Sequence, residues 1–209
     1  MSPFRTRLLN FSISALPISQ EQENPSFDHV FEDPKVIVPS FDLSRRVGNI
    51  FSQTLYGIAF ERSFTVEGLV RGANQGLKNV STLFLERKWD KMEQIMVKDL
   101  IEELKISRER ISPELEKALD FKEENFLISF VHSTFIAGSK MFKLSSSKNI
   151  SMYATIVSYV RLSPDVPEDA SVSQLTGEYK GKVLICNVTY GRVLNPMGLW
   201  KITGINYFI

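Results

Sequence analysis

Hydrophobic positions along this chain recur at helical spacing from Asp42 to about residue 121, and at a spacing of two beyond Asn125. From Asp42 to about Phe60, the residues Leu43, Val47, Ile50, Phe51, Leu55 and Ile58 fall on one face of a helix, and Asp42 is a suitable N-cap. A longer helix starts behind Thr65, another good N-cap. Val66, Leu69, Val70, Ala73, Leu77, Val80 and Phe84 form its apolar stripe, and Phe64 with Leu69 has the spacing of a hydrophobic staple. Leu85 to Trp89 breaks this pattern. A further stripe follows in Trp89, Met92, Met96, Val97, Leu100 and Leu104, with Asp90 and Glu93 at capping-box spacing. A short helix is expected from Pro113 to near Phe121.

Beyond Asn125 the strand candidates are Phe126–Ala137, Ile150–Leu162, Lys182–Val193 and Leu199–Phe208, all rich in β-branched and aromatic residues. In the second, Ile150, Met152, Ala154, Ile156, Ser158 and Val160 share one face, while Tyr153, Thr155, Tyr159 and Arg161 share the other. That contrast predicts an antiparallel sheet covered on one side. Val172–Leu175 reads as a short fifth strand, and Ser145–Asn149 and Asn195–Gly198 as turns. In the last strand Ile205 is out of phase with Trp200 and Ile202, and Gly204 is the natural place for a bulge that resets the phase. Helices followed by a run of strands make an α+β domain.

Beside the stripe of the long helix runs a row of glycines, Gly68, Gly72 and Gly76. Each costs about 1 kcal/mol relative to alanine in a helix interior, so something should compensate. Glycine lets a second backbone come close. The expectation is that the helix from Asp42 crosses at this row, and that Gly72→Leu would then destabilise the domain.

Charge and composition narrow the picture. Lys and Arg number 25 against 24 Asp and Glu, so the chain lacks the basic excess of a nucleic-acid binder and no direct nucleic-acid contact is expected. Cys186 is the only cysteine, which excludes an internal disulfide. No stretch reaches the roughly 18 uninterrupted apolar residues that mark a membrane span. Residues 1–20 contain Arg5, Arg7, four Ser and no acid, the composition of a mitochondrial transit peptide; an untargeted terminus is the alternative. Residues 21–40 turn acidic and Pro-containing and read as a linker, with Val36-Ile37-Val38 as a candidate edge strand. Residues 41–209 then form a single α+β domain. Arg45 and Arg46 at the start of the first helix admit a helix lying on an anionic membrane; the alternative is a helix packed on its own domain.

Candidate chemistry is sparse. Two separated histidines and one cysteine give no metal-ligand spacing, and neither a phosphate-binding glycine loop nor a nucleophile elbow occurs. No cofactor is expected. A His132–Cys186 dyad across strands would lack an orienting third group, and Asp165 and Asp169 look like loop charges. Candidate pocket-lining residues on the sheet are His132, Tyr153, Cys186 and Tyr190.

One resemblance adds to this. The pattern carried by Phe64, Thr65, Leu69, Gly72, Ala73, Leu77, Val80, Leu83, Trp89, Asp90, Val97 and Leu104 resembles the C-terminal domain family of the mitochondrial import-motor scaffold. The closing Leu199-Trp200-Lys201-Ile202-Thr203-Gly204-Ile205 is similar to the end of the same family. The resemblance covers about residues 60–207. It implies a cone-like, nuclear-transport-factor-two-like fold, with helices against a bent antiparallel sheet and no enzymatic activity. It also implies a matrix protein peripheral to the inner membrane. Family partners are the m-AAA protease, imported precursors (among them that of a small calcium-uniporter subunit) and the mitochondrial ribosome. A large-ribosomal-subunit protein and a small-molecule-binding or enzymatic cone-fold protein are the alternatives. The near-neutral charge weighs against the first, and a convergent polar cluster would mark an enzyme.

Overall fold

The computed structural model describes residues 42–138 and 150–208. The transit-peptide and linker segments, the candidate strand at Val36–Val38 and the turn at Ser145–Asn149 lie outside the described residues. In chain order the elements are α1 (Leu43–Ala59), α2 (Val66–Leu85), α3 (Trp89–Met92), α4 (Lys98–Arg108), α5 (Pro113–Ala118), a 3-10 turn (Glu123–Asn125), β1 (Phe126–Ala137), β2 (Ser151–Arg161), α6 (Val172–Thr176), β3 (Val183–Val193) and β4 (Lys201–Phe208). The strands form one antiparallel sheet in the order β1-β2-β3-β4. Mixed helices and an antiparallel sheet make the domain α+β.

The expected strands are present with ends within two residues. Their phase decides what the helices bury. Ala154, Ile156 and Val160 of β2 and Leu184, Cys186, Val188 and Tyr190 of β3 share the main core with Ala73, Leu77, Val80 and Phe84 of α2. In β4, Tyr190 pairs with Ile202 but Thr189 with Gly204, so Thr203 is the extra residue, one position before the expected bulge. The extra residue returns Ile205 and Tyr207 to the helix side, where both join the core.

Three expectations are corrected. The sheet is not covered on one side only: Val166, Ala170 and Leu175, from the connection between β2 and β3, pack on Val157, Tyr159, Val183 and Ile185 of the opposite face. Within that connection Val172–Leu175 is helical, not a strand. Ser171 and Gln174 form a reciprocal capping box, with Ser171 Oγ accepting from the Gln174 N–H and Gln174 Oε1 accepting from the Ser171 N–H. The helix expected after Trp89 is split into α3 and α4. Between them, the Ile95 carbonyl accepts from the Ile202 N–H (2.8 Å) and the Val97 N–H donates to the Ile202 carbonyl (3.0 Å). This bridge to β4 holds the backbone extended where the helix would have continued, and Asp90 lies inside α3 without capping it. Met92, Met96, Leu100 and Leu104 are nevertheless all buried.

Candidate functional site

The first helix forms as its pattern predicts and then packs the other way round. Asp42 caps it, its Oδ1 accepting from the N–H groups of Ser44 (2.9 Å) and Arg45 (3.3 Å). The residues it buries are Ser52 and Tyr56. Its apolar stripe faces outward: Leu43, Val47, Ile50, Phe51 and Ile58 are each between 59% and 74% exposed, an orientation opposite to that of an ordinary surface helix.

The polar face has a specific purpose. Among the described residues β1 is an edge strand, and its outer N–H and C=O groups need partners. Asn49 Oδ1 accepts from the Thr134 N–H at 2.7 Å, and Asn49 Nδ2 donates to the His132 carbonyl at 3.0 Å. Ser52 Oγ lies 2.6 Å from Thr134 Oγ1 and 3.1 Å from the Thr134 carbonyl. Two side chains of α1 thus stand in for a neighbouring strand. Arg45 completes the contact by donating to His132 Nε2 at 2.8 Å. A guanidinium only donates, so Nε2 is the acceptor and the imidazole is neutral.

Burial first, and the Arg45 charge second, lower the His132 pKa from 6.5 to about 4. Between these values the unfolded chain binds the proton and the folded chain does not. This contribution to stability is therefore whole above about pH 6.5, falls as pH drops through the window and levels off below about pH 4. The imidazole is partly exposed, so the loss is expected to be about 1–2 kcal/mol. Urea midpoints at about pH 7 and pH 4.5 should differ more for the wild type than for His132→Gln; equal pH sensitivity would refute the assignment.

The C-terminal end of α1 is clasped. Arg192 of β3 donates to Glu61 Oε2 (2.8 Å), to the Tyr56 hydroxyl (2.7 Å) and to the Gly198 carbonyl (2.8 Å). The Tyr56 hydroxyl donates in turn to Glu61 Oε2 (2.7 Å), and the guanidinium lies 5.7 Å from the centre of the Trp200 ring. Tyr56 is fully buried, its ring edge-on to Phe64 at 4.8 Å.

Beside the clasp opens a pocket of about 360 Å³. Gly68, Leu69, Gly72, Ala73 and Gly76 of α2 form one wall, Tyr190, Trp200, Ile202 and Ile95 line the rest, and Glu61, Ser63, Phe64 and Thr65 contribute from the α1–α2 connection. The glycine row is therefore not a crossing site. Among the described residues nothing comes within 4 Å of a β-carbon placed on Gly72, and the nearest atom to one on Gly68 is Oγ1 of its own cap, Thr65. Of the three, Gly76 alone meets a side chain from another element, the Tyr190 hydroxyl, 3.3 Å from where a β-carbon would sit. That hydroxyl donates to the Ala73 carbonyl at 2.7 Å. With open space at Gly72, Gly72→Ala is expected to stabilise the protein by about 1 kcal/mol, raising Tm by roughly 2–4 °C. A lower Tm would show that the glycine is needed.

Of the four sheet residues expected to line a pocket, Tyr190 lines this one and His132, Tyr153 and Cys186 do not. Cys186 is fully buried in the main core, where burial raises its thiol pKa well above the ordinary value. The registers align Ser129, Ser158 and Cys186, three residues along from His132, so the two members of the supposed dyad are not brought together. Tyr153 lies on the opposite face of the sheet, stacked on Phe135 at 5.1 Å, with its ring over Gly191. Asp165 pairs with Lys182 at 3.3 Å. Among the described residues no helix is long and apolar enough to cross a membrane, and no group of three His, Cys, Asp or Glu is placed to hold a metal ion.

No protein-family model matches the sequence, and no curated protein is significantly similar to it.

Proposed function

We propose that this chain is a non-catalytic binding protein of the mitochondrial matrix, peripheral to the inner membrane. In this reading it holds the m-AAA protease, imported precursors or both, assisting maturation and membrane insertion, with a calcium-uniporter subunit precursor among its clients. The observation that carries the reading is the outward apolar stripe of α1, since a contiguous exposed patch of large apolar side chains marks an interaction surface. The transit-peptide composition of residues 1–20 and the resemblance over residues 60–207 to the import-motor-scaffold family support the compartment and the cone-like fold. The test places a photo-crosslinking residue at Phe51 of the full chain in intact mitochondria. Adducts with the protease or a precursor, lost on Ile50→Glu, are expected, together with release from membranes by carbonate. Cytosolic localisation, or adducts indifferent to Ile50→Glu, would overturn the reading.

A second reading, a small-molecule-binding cone-fold protein, is favoured by the pocket alone, whose volume falls within the usual range of ligand sites. Gly72→Leu fills that pocket and leaves the α1 stripe untouched. Loss of client crosslinks in this variant, with crosslinks retained in Ile50→Glu, would favour the second reading.

A further inference from the structure

We infer that the α1 stripe also takes a second copy of this chain, two α1 helices packing antiparallel about a two-fold axis between Ile50 and Phe51. This rests on reading α1 as a docking surface and names one of its occupants. The ends and centre of the stripe are symmetric about that point. An axis there sets Leu43 of one copy against Ile58 of the other and Ile50 against Phe51, so an isologous contact gives these four exposed side chains apolar partners, while Val47 meets Thr54 and Leu55 meets the stem of Arg46. Burying these side chains on two copies removes on the order of 1,000 Å² of surface, the lower bound for a specific interface.

Charge favours the same arrangement. The last turn of α1 has no basic residue of its own, and its first turn no acidic one. Antiparallel packing brings the exposed Arg46 of each copy towards the carbonyl end of the other helix, where a cation is favourable. A parallel pair would instead set the two Arg46 side chains together. An anionic bilayer has less to attract it, since Arg45 is already engaged with His132. Self-association through the stripe would cover it until a client displaces the second copy.

The experiment uses the full chain in sedimentation equilibrium at about 1–100 µM. The wild type should shift from monomer to dimer over this range, and Ile50→Glu should stay monomeric with an unchanged circular dichroism spectrum. Mixing Leu43→Cys with Ile58→Cys chains under mild oxidation should give the mixed disulfide in preference to either homodimer, with buried Cys186 uninvolved. A chain monomeric throughout, a dimer indifferent to Ile50→Glu, or a preference for Leu43→Cys homodimers overturns the proposal. If the chain is monomeric, client crosslinks at Phe51 that depend on Ile50 would leave the partner reading standing. Binding to anionic vesicles would assign the stripe to a membrane, and a stripe cysteine that resists maleimide in the monomer would assign it to another segment of the same chain. Each of these three results defeats the dimer.

Discussion

Replacing Arg192 with alanine is expected to cost about 2–4 kcal/mol, lowering Tm by roughly 6–12 °C in a chain of this size. The side chain is 14% exposed and satisfies three groups at once: Glu61, the Tyr56 hydroxyl and the Gly198 carbonyl. Its removal leaves a carboxylate that is only 31% exposed without its cation, at the point where α1 meets the sheet. Part of the cost is lost packing on Trp200. Arg192→Met should recover that part alone. The double variant Arg192→Ala with Glu61→Gln should be more stable than the sum of the two single losses predicts, because the second change removes the orphaned charge. Strict additivity in urea denaturation would mean that the pair contributes nothing as a pair.

Such a clasp is invisible to a reading along the chain, since Arg192 and Glu61 are 131 residues apart and neither belongs to a recognisable motif. The strands are the opposite case. Alternation and β-branched content are local signals, and the ends of β1 fall at Phe126 and Ala137, where the pattern sets them. Caps are equally local: Asp42 and Thr65 both accept from the first turn of the helix they begin. The S-x-x-Q pattern at Ser171 is also local and marks α6. There Val172 and Leu175 look like strand residues by propensity, and the cap decides. At residues 95–97 the reverse occurs, and pairing with a distant strand overrides a sound helical stripe. For the glycine row the energetic cost was legible but not its consequence: open space along one wall of a pocket. The outward turn of α1 is what its pattern left open. Amphipathic spacing says that a helix has two faces, and only the tertiary partners say which one is turned inward.

Here those partners are the unpaired backbone groups of β1, and this leads to the second large effect. Asn49→Leu is expected to destabilise the protein by about 2–4 kcal/mol, although it places a more apolar residue on a helix that is already apolar. It removes the acceptor for the Thr134 N–H and the donor to the His132 carbonyl, and the leucine that replaces them excludes water from both. Thr134 is 5% exposed, so its amide has little recourse to solvent. Hydrogen exchange at Thr134 should accelerate by roughly 30- to 700-fold, the same energy converted at about 1.4 kcal/mol per factor of ten. Exchange in the centre of β3 should change only as far as global stability falls. One residue further along, Ile50→Lys introduces a charge into the apolar stripe yet should change the stability of the isolated monomer by no more than about 0.5 kcal/mol, because Ile50 is 60% exposed. The pair of variants inverts the usual rule that apolar helix positions matter for folding and polar ones do not. If Ile50→Lys proves the more destabilising, α1 packs by its stripe and the edge-capping role of Asn49 fails. If Asn49→Leu does, the polar face of α1 belongs to the fold and the apolar stripe is left for partners.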